Sequence, residues 1–173
     1  TPMNAVIGFA DRLEQTTLDT HQKNLLQPIR HSADLLLSLI NDVLDYSKLE
    51  SGNFTLESSP FDPEAIAQEV YELFKLKAQE KGVELKIYLD EDLPKALVGD
   101  PLRLKQMLLN LVGNSMMFTS EGEVGILVSK GPSEHENQWI IFDVRDTGIG
   151  IAKEQQELIF QDFIQADTST SRK

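Results

Sequence analysis

The chain has 173 residues, with 28 acidic against 16 basic side chains, a net charge of −12 and no cysteine. The acidic balance excludes a counterion-releasing basic stripe, so neither nucleic acid nor an anionic membrane surface is an expected partner. A disulfide framework and thiolate chemistry are excluded too, while 40% apolar residues suffice for a core.

Residues 1 to about 14 read helical, with Val6, Ile7, Phe9, Ala10 and Leu13 on one face. Thr16 to Asp19 breaks the pattern. Asp19 and Gln22 form a capping-box signature that opens a second helix running to about Glu50. Leu25, Ile29, Ser32, Leu36, Leu39, Val43 and Tyr46 alternate in steps of four and three, a heptad stripe. Leu26, Ala33, Leu37, Ile40 and Leu44 widen it. Two helices cannot bury so wide a stripe, so a homodimer through this hairpin, making four helices, is expected. Ser51-Gly52 ends the helix.

From Asn53 the texture changes. Phe54 to Glu57 reads as a strand. Asp62-Pro63 is a helix start, and the helix reaches about Lys81 before Gly82 stops it. Val83, Leu85, Ile87 and Leu89 alternate like a strand. Asp100-Pro101 repeats the cap signature and opens a helix carrying Asn110 and Asn114. Glu123 to Lys130 and Gln138 to Arg145 read as strands joined by a polar loop at Gly131 to Asn137, and Ala152 to Phe160 as a short helix. The expected fold class is α+β, a helical hairpin over 1–52 followed by an α/β domain over 53–173. No apolar run approaches the ~20 residues of a membrane span, and no signal peptide is visible.

Two features suggest chemistry. Asn110 and Asn114 stand four apart in a mostly apolar run, and a buried amide without partners costs free energy. They are either core amides bonded to backbone or they await a polar ligand. "DVRDTGIGI" ends an apolar strand with Asp146, Gly148 and Gly150. A carboxylate there can accept from an exocyclic amine, and glycines allow close approach or positive φ. The third glycine of a dinucleotide fingerprint is missing, because Lys153 stands in its place. A calcium loop lacks its further acids, and no phosphate-binding P-loop is present. On its own, D-x-G-x-G is a turn more often than a site.

In combination, "DPLRLKQMLLNLVGNSMMFT", "DVRDTGIGI" and "IFQDFIQADTSTSRK" resemble the nucleotide-binding domain of sensor histidine kinases. "TPMNAVIGF" and "LINDVLDYSKLESG" resemble the dimerisation and phosphoacceptor hairpin of the same family, in its hybrid-kinase style. The resemblance covers essentially the whole chain. It implies a helical hairpin, a four-helix bundle on dimerisation, followed by an α/β-sandwich ATP-binding domain of the histidine kinase, gyrase and chaperone type. It implies ATP and Mg²⁺ as ligands, autophosphorylation on histidine, and relay to the aspartate of a response-regulator receiver domain.

Residue by residue, Asn114 matches the magnesium-binding asparagine, with Asn110 one turn away on the same face. Asp146 matches the reader of the adenine amino group, Gly148 and Gly150 the glycines that shape that pocket, with Ile151 beside them, and Phe118 the aromatic beside adenine. Phe160 and Phe163 match a box beneath the ATP lid. Thr1 stands where the family positions water for dephosphorylating a receiver. The phosphoacceptor His is expected four residues before Thr1, and a further glycine box after "STSRK", so a fragment of a longer, cytoplasmic or membrane-anchored parent is expected. His21, His31 and His135 read as solvated surface residues.

One departure bears on affinity. The family usually carries Lys where Met117 stands. A charge-assisted bond is worth about 1.5–3 kcal/mol, so its loss predicts roughly 10- to 100-fold weaker ATP binding unless another cation substitutes. A degenerate kinase acting as a dimeric scaffold is the alternative that Met117 motivates. A gyrase- or chaperone-type ATPase would need an acid on the Asn-bearing helix, four residues before an Asn, where Gln106 and Asn110 stand instead.

Overall fold

The computed structural model describes residues 2–134 and 137–160. The chain forms two compact units, 1–55 and 56–173. In the first, α1 (Pro2–Glu14) and α2 (Thr20–Glu50) make a helical hairpin. The capping box is present: Asp19 accepts from the Gln22 amide at 2.8 Å, and the Gln22 side chain accepts from the Asp19 amide at 3.0 Å. Arg30 on α2 pairs with Asp11 and Glu14 on α1. Among the described residues of this unit only Ala10, Leu26 and Ala33 are buried hydrophobics. The heptad stripe stays open: Leu25, Ile29, Leu36, Leu39 and Val43 are all exposed, Leu39 at 60%. An apolar groove of about 420 Å³ lies on this unit, lined by Met3 and Val6 of α1 and Ile29, Ala33 and Leu36 of α2.

The second unit is a two-layer α/β sandwich. β1 (Ser59–Phe61) pairs antiparallel with β3 (Leu97–Gly99). β2 (Glu84–Leu89) runs parallel to β4 (Glu123–Glu134), which pairs antiparallel with β5 (Asn137–Asp146), giving the order β2-β4-β5. Helices α3 (Pro63–Lys81) and α4 (Pro101–Phe118) pack on this sheet. Ile66, Ala67, Val70 and Ala78 of α3 meet Leu108, Val112 and Met116 of α4 and Val124, Ile126 and Val128 of β4 in one closed core. Each large side chain so buried contributes about 1.5–3 kcal/mol. Lys86 on β2 ties Glu84 and, across the ladder, Glu123 at 2.7 Å, which holds its ammonium above the ordinary lysine range.

The helix starts expected at Asp62-Pro63 and Asp100-Pro101 are observed, as is the stop at Gly82, which is left-handed at φ 74°. Phe54 to Glu57 is not a strand. The Glu57 amide donates to the Asp100 carboxylate at 3.0 Å instead of to a ladder, and β1 begins two residues later. The strands β4 and β5 continue into the stretch expected as a loop. Gly131 and Pro132 read as turn signals but fall within a register shift between Lys130 and Ser133, the kind of irregularity that accommodates both residues in a strand. The expected last helix is α5 (Lys153–Gln156), followed by a 3₁₀ turn at Leu158–Phe160.

Candidate nucleotide site

The site is assembled where the C-terminal turns of α4 meet the end of β5. Helix α4 divides cleanly by face. Leu108, Val112, Ser115 and Met116 are buried, and Thr119 follows them. Met107, Asn110, Leu111, Asn114, Met117 and Phe118 are exposed on the other side. Asn110 and Asn114 are therefore not core amides bonded to backbone. They lie one turn apart, about 6 Å along the axis, amid an exposed apolar surface. Contiguous exposed apolar surface with a few polar groups is what ligand sites look like.

The turn after β5 docks onto the end of this helix. The Ile149 amide donates to the Phe118 carbonyl at 3.3 Å. The Ser115 hydroxyl donates to Asp146 Oδ2 at 3.0 Å, and the Gly148 amide to Asp146 Oδ1 at 2.9 Å. A Cβ on Gly148 would lie 2.6 Å from the Phe118 carbonyl oxygen and 2.9 Å from Asp146 Oδ1. No side chain fits there, so glycine is what lets the turn after β5 lie close against the backbone at the end of α4 and against the Asp146 carboxylate. Gly150 has φ 69° with open space around it, so its requirement is conformational. Ile149 and Ile151 are exposed beyond it.

The other end of α4 is fixed by Asp100, which accepts from the Arg103 and Glu57 amides, both at 3.0 Å. These bonds, the Arg103 amide first, hold its carboxyl below the usual carboxylate range. At the C-terminal end, Lys81 Nζ donates to the Met116 carbonyl at 2.6 Å and to the Met117 carbonyl at 3.2 Å. Lys81 thus reaches the backbone of Met117, and it is committed to the helix end rather than to open space.

Asn110, Asn114, Phe118, Asp146, Gly148, Gly150 and Ile151 thus lie on two adjoining elements of one unit. Thr1 and Phe163 lie outside the described residues, as does His135. The sequence reading missed Ser115. Its signal was a hydroxyl in the inward stripe 108-112-115-119, where the helix otherwise needs apolar residues. Thr119, in the same stripe, is fully buried with no hydrogen-bond partner for its hydroxyl oxygen.

A carboxylate held by two donors beside the exposed Phe118, Ile149 and Ile151 suits a flat heterocycle bearing an amine. No cluster of three or more His, Cys, Asp or Glu that could hold a metal exists among the described residues. Two neutral amides suit Mg²⁺ only when phosphate oxygens and water complete its shell, which is how that ion is usually bound beside nucleotides.

Residues 99–173 match the family described as histidine kinase-, DNA gyrase B- and HSP90-like ATPase, and residues 1–52 match the His Kinase A (phospho-acceptor) domain. The signal transduction histidine-protein kinase BarA of Escherichia coli (strain K12) is 45% identical over 173 residues, 100% of this chain and 19% of that protein. The sensor histidine kinase GacS of Pseudomonas protegens is 40% identical over 99% of this chain and 19% of its own length. Among solved structures, full-length ShkA in complex with AMPPNP matches at TM-score 0.75 and 37% identity, over 96% of this chain and 35% of that one. The histidine kinase ThkA in complex with the response regulator protein TrrA shares the fold at TM-score 0.60 and 24% identity, over 95% of this chain and 47% of that one. The chain spans about a fifth of the length of these curated relatives.

Proposed function

This chain belongs to the sensor histidine kinases, and from that premise we propose that it is the core that binds Mg-ATP and phosphorylates a histidine of its own hairpin. The observation that carries the reading is the joint of α4 and the β5 turn: two exposed amides, a glycine turn packed on the helix end and a carboxylate fixed by two donors. Asp146 accepts from the adenine amino group, Phe118 and Ile151 flank the ring, and Asn110 and Asn114 face the triphosphate. A magnesium ion held by Asn114 and Asn110 would offset phosphate charge during transfer.

In the step itself, a ring nitrogen of the phosphoacceptor histidine, expected ahead of Thr1, attacks the γ-phosphorus. The bond from that phosphorus to the β–γ bridging oxygen breaks, ADP departs, and the ring releases one proton to solvent. Protein groups contribute by positioning and by charge stabilisation, since such a transition state needs little covalent help. The phosphoryl group then passes to a receiver-domain aspartate. The open heptad stripe and the groove at Ala33 and Leu36 support a homodimer, because a second copy would bury apolar surface that one copy leaves exposed.

The test is incubation of the intact protein with ATP labelled on the γ-phosphate. Acid-labile, alkali-stable label that disappears on replacing the upstream histidine is the expected result. Absence of both label and nucleotide binding would overturn the reading and leave a dimeric scaffold.

A further inference from the structure

We propose that Ser115 is a specificity-determining positioning residue that makes Asp146 a reader of a purine 6-amino group, acting through the carboxylate rather than touching nucleotide. This rests on the nucleotide reading above. Ser115 is 8% exposed and sits on the inward side of α4 between Val112 and Thr119. So little water reaches it that its hydroxyl needs a protein partner, and that partner is Asp146 Oδ2 at 3.0 Å.

Asp146 itself is exposed, so without fixed donors its carboxylate would turn freely. Two donors hold it, one on each oxygen: the Ser115 hydroxyl on Oδ2 and the Gly148 amide on Oδ1. An ionised carboxylate has about four lone-pair sites and no proton to give. With one site on each oxygen occupied, the remaining ones face fixed directions and accept only. Such a group attracts an amine and repels a carbonyl. Adenine carries an amine at position 6, whereas hypoxanthine and guanine carry a carbonyl there. A site built around one hydrogen bond discriminates strongly against analogues that cannot make it.

The two donors differ in kind. The Gly148 amide is backbone and is present whatever the sequence. The Ser115 hydroxyl is the side-chain half of the clamp, and it can be removed without adding an atom.

The experiment measures binding of a non-hydrolysable ATP analogue and of the triphosphate of purine riboside, which has no 6-substituent, to the intact protein with Mg²⁺. Ser115→Ala is expected to weaken the ATP analogue roughly three- to tenfold. Binding of the purine riboside triphosphate should stay within about twofold, because it never uses the carboxylate. In an Asp146→Asn background, Ser115→Ala should leave the ratio of the two affinities unchanged. Equal weakening of both nucleotides by Ser115→Ala would assign the hydroxyl to packing and overturn the proposal, as would no change in either. Failure of the wild-type protein to bind either nucleotide would instead overturn the nucleotide reading on which the proposal stands.

Discussion

The hairpin and the α/β unit solve the same burial problem in opposite ways. Among the described residues of 56–173, two helices and a sheet close a core of eleven buried hydrophobic residues around Leu108, Val112 and Ile126. In residues 1–55, the described residues bury only Ala10, Leu26 and Ala33, while the heptad stripe faces outward. Apolar patterning is stronger in the hairpin helices than in α3 and α4, so pattern alone does not say whether a core is closed within a chain. What decides it is the number of elements available to cover the stripe. Three elements, α3, β4 and β5, surround α4, and two helices alone cannot enclose a seam.

The largest effect that sharpens this contrast is expected from charge on the stripe. Leu36→Glu with Leu39→Glu would remove four leucines from a symmetric interface. At about 1.5 kcal/mol or more each, that is on the order of a 10⁴-fold weaker dimer. Sedimentation should show monomers while the nucleotide affinity of the α/β unit holds within about twofold. A dimer surviving both changes would mean that the hairpin stripe is not the interface. Next comes Gly148→Ala, whose methyl would meet the Phe118 carbonyl at 2.6 Å. Relieving such a clash costs about 1–3 kcal/mol, so nucleotide binding should fall roughly 10- to 100-fold, with sedimentation unchanged. Normal affinity in this variant would show that the turn after β5 is not part of the nucleotide site.

Met117→Lys acts in the opposite direction. Its side chain is 65% exposed, so an ammonium there reaches open space beside Asn114. A new charge-assisted bond to phosphate should tighten ATP about tenfold, read by calorimetry, and unchanged affinity would mean that the phosphates lie elsewhere. The smallest effect is expected at Asp100, whose carboxyl is held below the usual range by the Arg103 and Glu57 amides. A depressed folded-state value contributes stability above the unfolded value of 3.8 that is lost as pH falls through the folded one. Asp100→Ala should therefore lower denaturant midpoints at neutral pH, and its gap to the wild type should close below about pH 3.8. A gap independent of pH would assign the effect to something other than the carboxylate's bonds.

Legibility in the sequence follows locality. Helices α2, α3 and α4 announce themselves through caps three residues long, and their observed starts at Asp19, Asp62 and Asp100 need no distant partner. Strands β1 and β3 are three residues each and exist only because they pair with distant chain, Ser59 with Gly99 and Phe61 with Leu97 at the limits, so no local pattern marks them. Phe54 to Glu57 has the alternation of a strand, yet its last amide is captured by Asp100 from far along the chain. The site shows the same division. Asn110, Asn114, Asp146 and the glycines stand out as residue types that their segments do not need for packing. Ser115 is indistinct as a letter, since only the approach of β5 gives its hydroxyl a partner.

The close packing at Gly148 also bears on how such a domain ages in a lineage. Every amino-acid replacement of that glycine adds at least a Cβ, and a Cβ is already too much. On the proposed nucleotide reading, loss of binding is therefore reachable by any missense change at one codon, whereas recovery requires the single reversion to glycine. Once the turn is displaced, selection would no longer see Asn110 or Asn114, and they would be free to drift. The hairpin carries no such ratchet, because its stripe tolerates exchange among large aliphatic residues. Descendants that keep the dimer and lose the nucleotide should be easier to reach than the reverse.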